Sequence, residues 1–597
     1  LGNFEKAIEY QEKSLEIFKD IGNRAGESNC YTNLGIAYQS SGNFGKAIEY
    51  HEKSLEIDKD IGDINSERIV SFNLGRIYDE SEKPELAYDH YKHSIELSEM
   101  MGGRLVEEEH KLGFYARASE AYQDMIPLCL KLDSKEGEAF EYAERSKSRA
   151  FLDLIANTEI KPSVELTSEL KSLLDDEEKY LSKLREIQMR HLSQTKVSMK
   201  LREVEGIFRK LDKIYDEIEE HDPEYVFTRK GKPLSMDKVQ NLLSSQRRDG
   251  DAVLIEYFIT RDKTFIFVVS SKDNKLHIEP VSISAEKLNR YVEVYWREVV
   301  DYHEFQDIGD TWLGLSDYLI EPISEYLSEG DLIYFVPYGL LHYLPIHALE
   351  LNGEPLIKKH PVAYSPSASL LKFCKNKGSS ELKSCVSLGV AFGKNEEAEF
   401  EEKIKNMNKE EKEEVEEKIK KVKEIFEGES KDVAELFSTQ SDNGKSAIKD
   451  TVIEKCIDKD VIHFACHGYF DYADPLSSGV KLYDSFLTAR EIFDMRLNTE
   501  LVTLSACRTG LNQRSPGDDL IGLTRAFIYA GAPSVIVSLW SVDAHSTQEL
   551  MHEFYTLLKN GTDKATALQE AQKRIMKKEG YSDPYYWAPF VLVGDWE

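Results

Sequence analysis

The sequence predicts two structural classes in one chain: an all-α solenoid of helical repeats, followed by an α/β domain with a mainly parallel sheet. Two observations predict this architecture. The first is a sequence repeat with a period of 40 residues near the N-terminus, and the second is a series of short apolar runs after residue 250. A chain of 597 residues is too long for one hydrophobic core, so two or three domains are expected.

The repeat is clearest where the segment Gly2–Tyr10 returns as Gly42–Tyr50. A second segment, Asn33–Tyr38, returns as Asn73–Tyr78. Small residues such as Gly35 allow neighbouring helices to approach closely, and repeats of this kind stack into a solenoid. The pattern resembles tetratricopeptide repeats of long period. The resemblance implies a concave surface that binds peptides or helices of partner proteins, and a helical scaffold without a ligand is the alternative.

Helical patterning continues beyond the repeats. Charged residues with Leu and Ile at helical spacing extend from about 165 to 220, which predicts one or two long helices. We therefore expect repeats over residues 1–155, a long helical or coiled-coil connector over 156–236 and the α/β domain over 237–597. The chain opens at Leu1 within a repeat, so we expect the true N-terminus to lie upstream.

The α/β domain is predicted from runs rich in β-branched and aromatic residues. Val253–Phe258 and Thr264–Val269 are separated by a short polar segment and indicate a hairpin. Later runs stand alone between helical segments, which is typical of strands buried on both faces of a parallel sheet. These runs are 332–336, 386–390, 461–465, 501–505 and 534–539. A segment of Glu and Lys at about 394–432 predicts either a solvated helix or a mobile insertion.

Composition narrows the range of partners. The net charge of -32 disfavours nucleic acid as the main partner and favours proteins. No apolar run is long enough to cross a membrane, so no membrane association is predicted. Seven scattered cysteines are an odd number without framework spacing, which indicates a reducing compartment and buried thiols. We therefore expect a cytoplasmic location.

Reactive groups of open parallel sheets gather at the carboxyl ends of the strands. His467 follows the run 461–465, and Cys507 follows the run 501–505. If the two strands are neighbours, a thiol and an imidazole lie within reach of one another. The imidazole then favours the thiolate nucleophile and can protonate a leaving amine. The backbone N–H groups of Gly468 and Cys507 are suited to stabilise the negative charge that develops on the substrate oxygen.

The same residue types also have less specific explanations. A cysteine at the end of a buried strand usually fills the core. His463, Cys466 and His467 suggest a zinc site, but on a strand Cys466 points to the opposite face from the two histidines. No Cys-x-x-Cys follows to complete a ligand set. We therefore predict no metal and no other cofactor.

Several further motifs accompany the two reactive residues in a fixed order. They are Val336–Pro345, His463–Gly468, Leu504–Cys507, Leu520–Phe527, Ser538–Asp543 and Trp587–Phe590. Over roughly residues 237–597 the chain resembles a CHAT domain, the caspase-like module commonly fused to tetratricopeptide repeats. The junction Glu144–Lys147 fits the same family. The resemblance implies a cysteine endopeptidase that cleaves protein substrates through a His467 and Cys507 dyad.

The resemblance also implies an acidic residue that holds a basic side chain of the substrate. The candidates are Asp543, in the loop after a Trp-containing strand, and the pair Asp518 and Asp519. Ala544 stands where many CHAT domains carry a second acid, so specificity for Arg or Lys stays open. For Asp518 the alternative is an N-cap of the helix that follows.

Two functions of different classes remain. The first is a peptidase regulated by its repeats, in which partner binding alters access to Cys507. The second is a non-catalytic scaffold or adaptor whose caspase-like domain is silent. A nucleotide-dependent or metal-dependent enzyme lacks a phosphate-binding loop or a ligand cluster. A further hypothesis is that the Glu and Lys segment moves or is cut during activation.

Overall fold

In this computed structural model the N-terminal repeats are helices, and the first five of them begin 20 residues apart. Asn23, Asn43 and Asp63 precede three of these helices, and each side chain accepts a hydrogen bond from a backbone N–H of the first turn. Such caps satisfy donors that a helix leaves unpaired. The helices are α1 (Phe4–Asp20), α2 (Arg24–Ser40), α3 (Phe44–Ile61), α4 (Ile64–Glu80), α5 (Pro84–Gly102) and α6 (Glu108–Cys129).

The chain forms two compact units. The first contains Leu1–Lys135 and Ser148–Pro233, and the second contains Glu136–Lys147 and Leu234–Glu597. Each unit is made of two separate stretches of the chain, so the units are not the consecutive domains that the sequence predicts. The domain boundaries after residues 155 and 236 stay predictions. The residues that the structure describes are 4–102, 108–147, 164, 166–191, 201–222, 225–226, 229, 233–245, 250–273, 275–295, 312–375, 382–405, 407–469, 471, 475–505, 513–514, 520–540 and 542–597.

Glycine allows close packing within the repeats. A Cβ atom added at Gly35 would lie 2.6 Å from the ring of His51, and one at Gly75 would lie 2.5 Å from the ring of Tyr91. The two pairs are related by the 40-residue period. The close helix approach predicted at Gly35 is therefore confirmed. Leu34 is completely buried in a cluster that also contains Leu15, Cys30, Tyr31 and Ile57.

The long charged segment forms two helices, as the sequence predicts: α8 (Ser168–His191) and α9 (Leu201–His221). Apolar side chains of both helices share one buried cluster, which includes Leu170, Leu211 and Ile218. Where the structure describes their side chains, the polar residues of these helices lie mainly on the solvent side, as in an amphipathic helix.

The second unit is built on an eleven-stranded sheet with the strand order β3-β2-β1-β4-β7-β18-β17-β14-β10-β8-β9. Its strands are β1 (Ala252–Ile259), β2 (Thr264–Ser270), β3 (Leu276–Val281), β4 (Leu332–Val336), β7 (Val362–Tyr364), β8 (Cys385–Val390), β9 (Asp442–Asn443), β10 (Val461–Cys466), β14 (Leu501–Ser505), β17 (Ser534–Ser538) and β18 (Phe590–Gly594). Seven of its ten adjacent pairs are parallel. The predicted mainly parallel sheet is thus confirmed.

Short strands form three smaller sheets beside the large one. They are β5 (Glu350–Leu351) with β6 (Glu354–Pro355), β11 (Gly468–Tyr469) with β12 (Gly479–Lys481) and β13 (Phe486–Thr488), and β15 (Gln513–Arg514) with β16 (Leu520–Ile521). The three-stranded sheet continues directly from β10, so it lies at the carboxyl end of a central strand.

Helices cover both faces of the sheet around β10. On one face the ring of Phe464 lies 5.9 Å from that of Phe527, and on the other His463 contacts Tyr555. The helices of this unit are α7 (Glu136–Ser146), α10 (Met236–Ser244), α11 (Ala285–Tyr295), α12 (Ser316–Leu319), α13 (Ala368–Lys375), α14 (Lys394–Lys405), α15 (Lys409–Leu436), α16 (Lys449–Cys456), α17 (Ala489–Phe493), α18 (Leu523–Ala530), α19 (Ala544–Lys559), α20 (Lys564–Met576) and α21 (Pro584–Trp587). Within the described ranges, no helix is both long and apolar enough to span a membrane.

The end of α7 is anchored in the second unit by charged side chains. The Nζ atom of Lys147 donates to the carbonyl oxygen of Tyr257 at 2.9 Å and lies 3.3 Å from Oε1 of Glu256. Both charged side chains are completely buried. Glu144 accepts hydrogen bonds from the backbone N–H groups of residues 368 and 369, which open α13. A carboxylate in this position stabilises the N-terminus of a helix.

Candidate active site

The strands that carry the two predicted reactive residues are neighbours. β10 and β14 pair in parallel, and Ala465 is the register partner of Ser505. The neighbouring arrangement on which the prediction depends is therefore confirmed. His467 lies one residue beyond the end of β10, where the chain continues into β11. Gly468 is the first residue of β11 and pairs with Val480 of β12.

Side chains at odd-numbered positions of both strands point to one face of the sheet. The Tyr555 hydroxyl, from α19, donates to Oγ1 of Thr503 at 2.7 Å and lies 3.2 Å from Nδ1 of His463. The imidazole of His467 packs against Phe426 of α15, with 4.8 Å between ring centroids. His467 thus lies on the same face as His463 and Thr503, as the two-residue period of a strand requires.

His467 is half-buried, and both its backbone and its ring have partners. Its carbonyl oxygen accepts a hydrogen bond from the backbone N–H of Lys481 at 2.8 Å. The backbone of Ala391 lies near the imidazole of His467 and favours the protonated form. Burial lowers the pKa of His467, and the positive charge of Lys481 lowers this pKa further, whereas Glu396 opposes the shift. The imidazole is therefore mainly neutral near pH 7, which is the form that accepts a proton.

Three of the predicted site residues lie outside the described residues: Cys507, Asp518 and Asp519. The nearest described residue before Cys507 is Ser505, whose buried hydroxyl has no hydrogen-bond partner in the described part of the chain. The alternative explanation of Asp518 as the N-cap of the following helix is wrong, because that helix is α18, which begins at Leu523 and has Gly522 as its N-cap residue. The structure therefore describes the histidine half of the predicted dyad.

Asp543 is the N-cap residue of α19. Its Oδ1 atom accepts a hydrogen bond from the backbone N–H of Ser546 at 2.8 Å. This oxygen therefore caps the helix. If Asp543 also binds a substrate, it does so through the other carboxylate oxygen. The sequence signal for the cap was present, because an Asp followed by a helical run is a typical N-terminus.

His463 belongs to a buried polar network rather than to a ligand cluster. Its Nε2 atom lies 3.1 Å from Oε1 of Glu429, and its Nδ1 atom faces the Tyr555 hydroxyl. Cys466 is completely buried. Within the part of the chain that the structure describes, no group of three or more His, Cys, Asp or Glu side chains is arranged to hold a metal.

The sequence did not identify the residues that surround His467. Phe426 and Glu396 belong to the segment of Glu and Lys, which was predicted as a solvated helix or a mobile insertion. That segment forms α14 and α15, and the C-terminal part of α15 buries Glu429 and Val433 against the sheet. Nothing in a run of charged residues distinguishes a glutamate that pairs within the fold from its exposed neighbours.

The fold defines a repeat protein in which a unit of helical repeats is joined to an α/β unit with a mainly parallel sheet. Residues 313–595 match the family model of the CHAT domain, and residues 1–60 match a tetratricopeptide repeat model. The chain therefore combines tetratricopeptide repeats with a CHAT domain, a module related to caspase-like peptidases.

Two curated relatives are similar to part of this chain, and the aligned part of each is a small share of its own length. Tetratricopeptide repeat protein 28 of Homo sapiens is 26% identical over 309 residues, which are 45% of this chain and 11% of that protein. Its counterpart in Mus musculus is 38% identical over 121 residues, or 20% of this chain and 5% of that protein. Among solved structures, the Saccharomyces cerevisiae separase–securin complex has 11% identity and a TM-score of 0.37 over 98% of this chain and 53% of that chain.

Proposed function

We propose that this chain is a cysteine endopeptidase regulated by its repeats, in which His467 and Cys507 form the catalytic dyad. One observation carries the proposal: Ala465 and Ser505 are register partners on adjacent parallel strands. His467 and Cys507 each follow these partners by two residues. Adjacent strands lie about 4.8 Å apart, so side chains at matching positions are within reach of each other.

The side-chain alternation of strands supports the same pairing. Thr503 faces the α19 layer through its contact with Tyr555, and His467 faces the same layer through Phe426 of α15. A residue four positions beyond Thr503 has the same parity, so the proposal assigns the Cys507 thiol to the face on which the imidazole lies.

The proposed reaction begins with the neutral imidazole of His467, which takes the proton of the Cys507 thiol. The thiolate attacks the carbonyl carbon of the scissile peptide bond, and the backbone N–H groups of Gly468 and Cys507 stabilise the resulting oxyanion. Protonated His467 then gives its proton to the leaving amine, and the acyl group remains on sulfur as a thioester. A water molecule deprotonated by His467 hydrolyses the thioester, which releases the carboxylate product and restores the thiol.

Acidic residues of the CHAT domain are the candidates for substrate selection. Asp518 and Asp519 are candidates to bind a basic side chain, and so is the oxygen of Asp543 that does not cap α19. An ionised carboxylate binds Arg or Lys through charge-assisted hydrogen bonds. We propose that a protein substrate enters at the CHAT domain while a partner protein or peptide binds the repeats. We also propose that the protein is cytoplasmic and that neither nucleic acid nor a membrane is a partner.

A non-catalytic scaffold is the second candidate function, and one observation on the repeats favours it. Ile36 of α2 and Ile69 of α4 are 43% and 38% exposed. Exposed apolar side chains on helical repeats suit the binding of a partner helix or peptide. In this case the repeats would bind partners while the caspase-like domain stayed silent.

Cleavage of a partner protein tests the choice between the two functions. A protein captured by the purified repeats would be incubated with wild type and with Cys507→Ala, Cys507→Ser and His467→Ala variants. Cys466→Ala is the matched control, because this neighbouring thiol is completely buried. We expect wild type and the Cys466 variant to cleave the partner and the other three variants not to do so. Identical fragment patterns in wild type and Cys507→Ala would show that the peptidase proposal is wrong.

A further inference from the structure

The segment of Glu and Lys residues, here called the charged insertion (394–432), contacts His467 in ways that the proposed dyad does not use. Most of α14 and the N-terminal half of α15 are exposed, with pairs such as Lys418 and Glu414 on the helix surface. The end of the insertion is different, because α15 becomes buried from Glu429 onward. Phe426 lies at this change from exposed to buried helix.

The position of Phe426 is fixed by close packing of the backbone. Gly389 of β8 is the register partner of Ala465, which lies two residues before His467. A Cβ atom at Gly389 would lie 2.7 Å from the carbonyl oxygen of Phe426, so the α15 backbone rests directly on the sheet there. The phenyl ring is thereby held against the imidazole of His467 at 4.8 Å, with 52° between the ring planes.

The backbone of Lys481 and the ion pair that its side chain forms link His467 to α14. Lys481 donates its backbone N–H to the carbonyl oxygen of His467 at 2.8 Å, and its ammonium group pairs with Oε2 of Glu396. The same oxygen of Glu396 accepts the backbone N–H of Gly393 at 2.9 Å. The side chain of Lys481 is 13% exposed and that of Glu396 is 43% exposed, so solvent reaches this pair mainly on the Glu396 side. It joins α14 of the charged insertion to β12, the strand beside His467.

From these contacts we infer that Phe426, Glu396 and Lys481 are positioning residues that hold the His467 imidazole in the orientation the dyad requires. The inference rests on the proposed function. The phenyl ring packs on the imidazole at 4.8 Å and restricts its rotation. The charged insertion is then part of the support of the active site.

The ion pair of Lys481 and Glu396 also changes the electrostatic potential at the imidazole of His467. Among the described residues, the charged groups that act on His467 are Lys481 from β12 and Glu396 from α14, and α15 presents the uncharged Phe426. Loss of the Lys481 charge disfavours the Cys507 thiolate, whereas loss of the Glu396 charge favours it. The two substitutions therefore shift the pH dependence of the thiolate in opposite directions.

The test is the rate of alkylation of Cys507 by iodoacetamide between pH 5 and 9, followed by mass spectrometry on the full chain. We expect Lys481→Met to raise the midpoint of the rate profile and Glu396→Gln to lower it, each by about half a pH unit. Phe426→Leu should slow the reaction at pH 7 by about tenfold. Glu399→Gln is the charge control, because this acid of the same helix is exposed. Phe400→Leu is the aromatic control, because its ring packs on Phe392 instead.

His467→Ala separates the inference from the proposed function. If His467→Ala leaves the alkylation profile unchanged, the dyad and the inference are both wrong. If His467→Ala changes the profile while Phe426→Leu, Lys481→Met and Glu396→Gln match their controls, the dyad stands and the positioning role is refuted. Should Phe426→Leu unfold, the two charge variants decide the matter, because Glu396 is 43% exposed and tolerates substitution.

Discussion

The ammonium of Lys147 lies 3.3 Å from a carboxylate oxygen of Glu256, and neither side chain is exposed to solvent. Burial raises the pKa of Glu256 well above its ordinary value, and the charge of Lys147 opposes this shift. Breaking such a pair by removing one partner leaves a buried polar group uncompensated. The pair joins α7 to the strand β1, which is more than 100 residues away in the sequence.

We predict that Lys147→Met destabilises the second unit by about 3 kcal/mol and that Lys147→Met with Glu256→Gln is less destabilised than the single variant. Urea unfolding followed by tryptophan fluorescence measures the effect. Lys358→Met is the control, because that lysine forms an exposed pair with Glu354 worth at most about 1 kcal/mol. Equal midpoints for Lys147→Met and Lys358→Met would contradict the anchoring role.

Gly35 is predicted to be intolerant of any side chain. The added methyl group of Gly35→Ala would meet the His51 ring at 2.6 Å, so we expect a loss of about 1 to 3 kcal/mol. Gly45→Ala is the matched control, since its Cβ would lie 4.0 Å from the nearest atom and the change favours helix by about 0.5 kcal/mol or more. Thermal melting followed by circular dichroism should show a lower midpoint for Gly35→Ala and no such decrease for Gly45→Ala. A Gly35→Ala protein as stable as wild type would refute the close approach.

The repeats are predicted to lose stability in mild acid through His51. Burial lowers the pKa of this residue to about 4, from 6.5 for an exposed histidine. The unfolded chain therefore binds the proton first as the pH falls. The stabilisation is complete above pH 6.5 and is lost between pH 6.5 and 4, to a total of about 3 kcal/mol.

His51→Tyr places at position 51 the residue that the next repeat carries at position 91. Hydrogen exchange of peptides from α2 and α3 should show acid-dependent opening in wild type and none between pH 6.5 and 4.5 in this variant. If wild type and His51→Tyr show the same pH dependence, protonation of His51 is not the cause of the acid sensitivity.

Asp543 is predicted to stabilise α19 whatever its role in substrate binding. Asp543→Ala removes the acceptor for the Ser546 N–H and should cost about 1 kcal/mol. Asp543→Asn keeps an N-cap and should melt close to wild type, so it isolates the effect of the charge on cleavage after basic residues. Equal losses of stability in the Ala and Asn variants would contradict the capping role.

Much of the central sheet was predictable from the sequence. The runs at 461–465 and 501–505 became β10 and β14 because their apolar residues are buried on both faces, which leaves a continuous hydrophobic signal. The strand-end rule then selected His467 as the candidate catalytic histidine, and this role stays a prediction. β18 was missed as a strand. It pairs antiparallel with β17 and in parallel with β7, and this order depends on tertiary packing rather than on local pattern.

The support of the site was not predictable for a related reason. Phe426 and Glu429 lie in a run of Glu and Lys, and the packing of α15 on the sheet brings them to His467 and His463. The role of Lys147 could not be predicted for the same reason, because its partners Tyr257 and Glu256 lie far away in the sequence. Local patterns report burial and secondary structure, whereas these contacts depend on which distant segments meet.

The central claim is that His467 activates Cys507 for attack on a peptide carbonyl. The most direct measurement is the rate at which a peptidyl acyloxymethyl ketone captures Cys507 at pH 7 in wild type and in His467→Ala. The account predicts selective capture of Cys507 in wild type and a rate at least about 100-fold lower in the variant. Equal rates in the two proteins, or capture of Cys507 in wild type no faster than that of the buried Cys466, would contradict it.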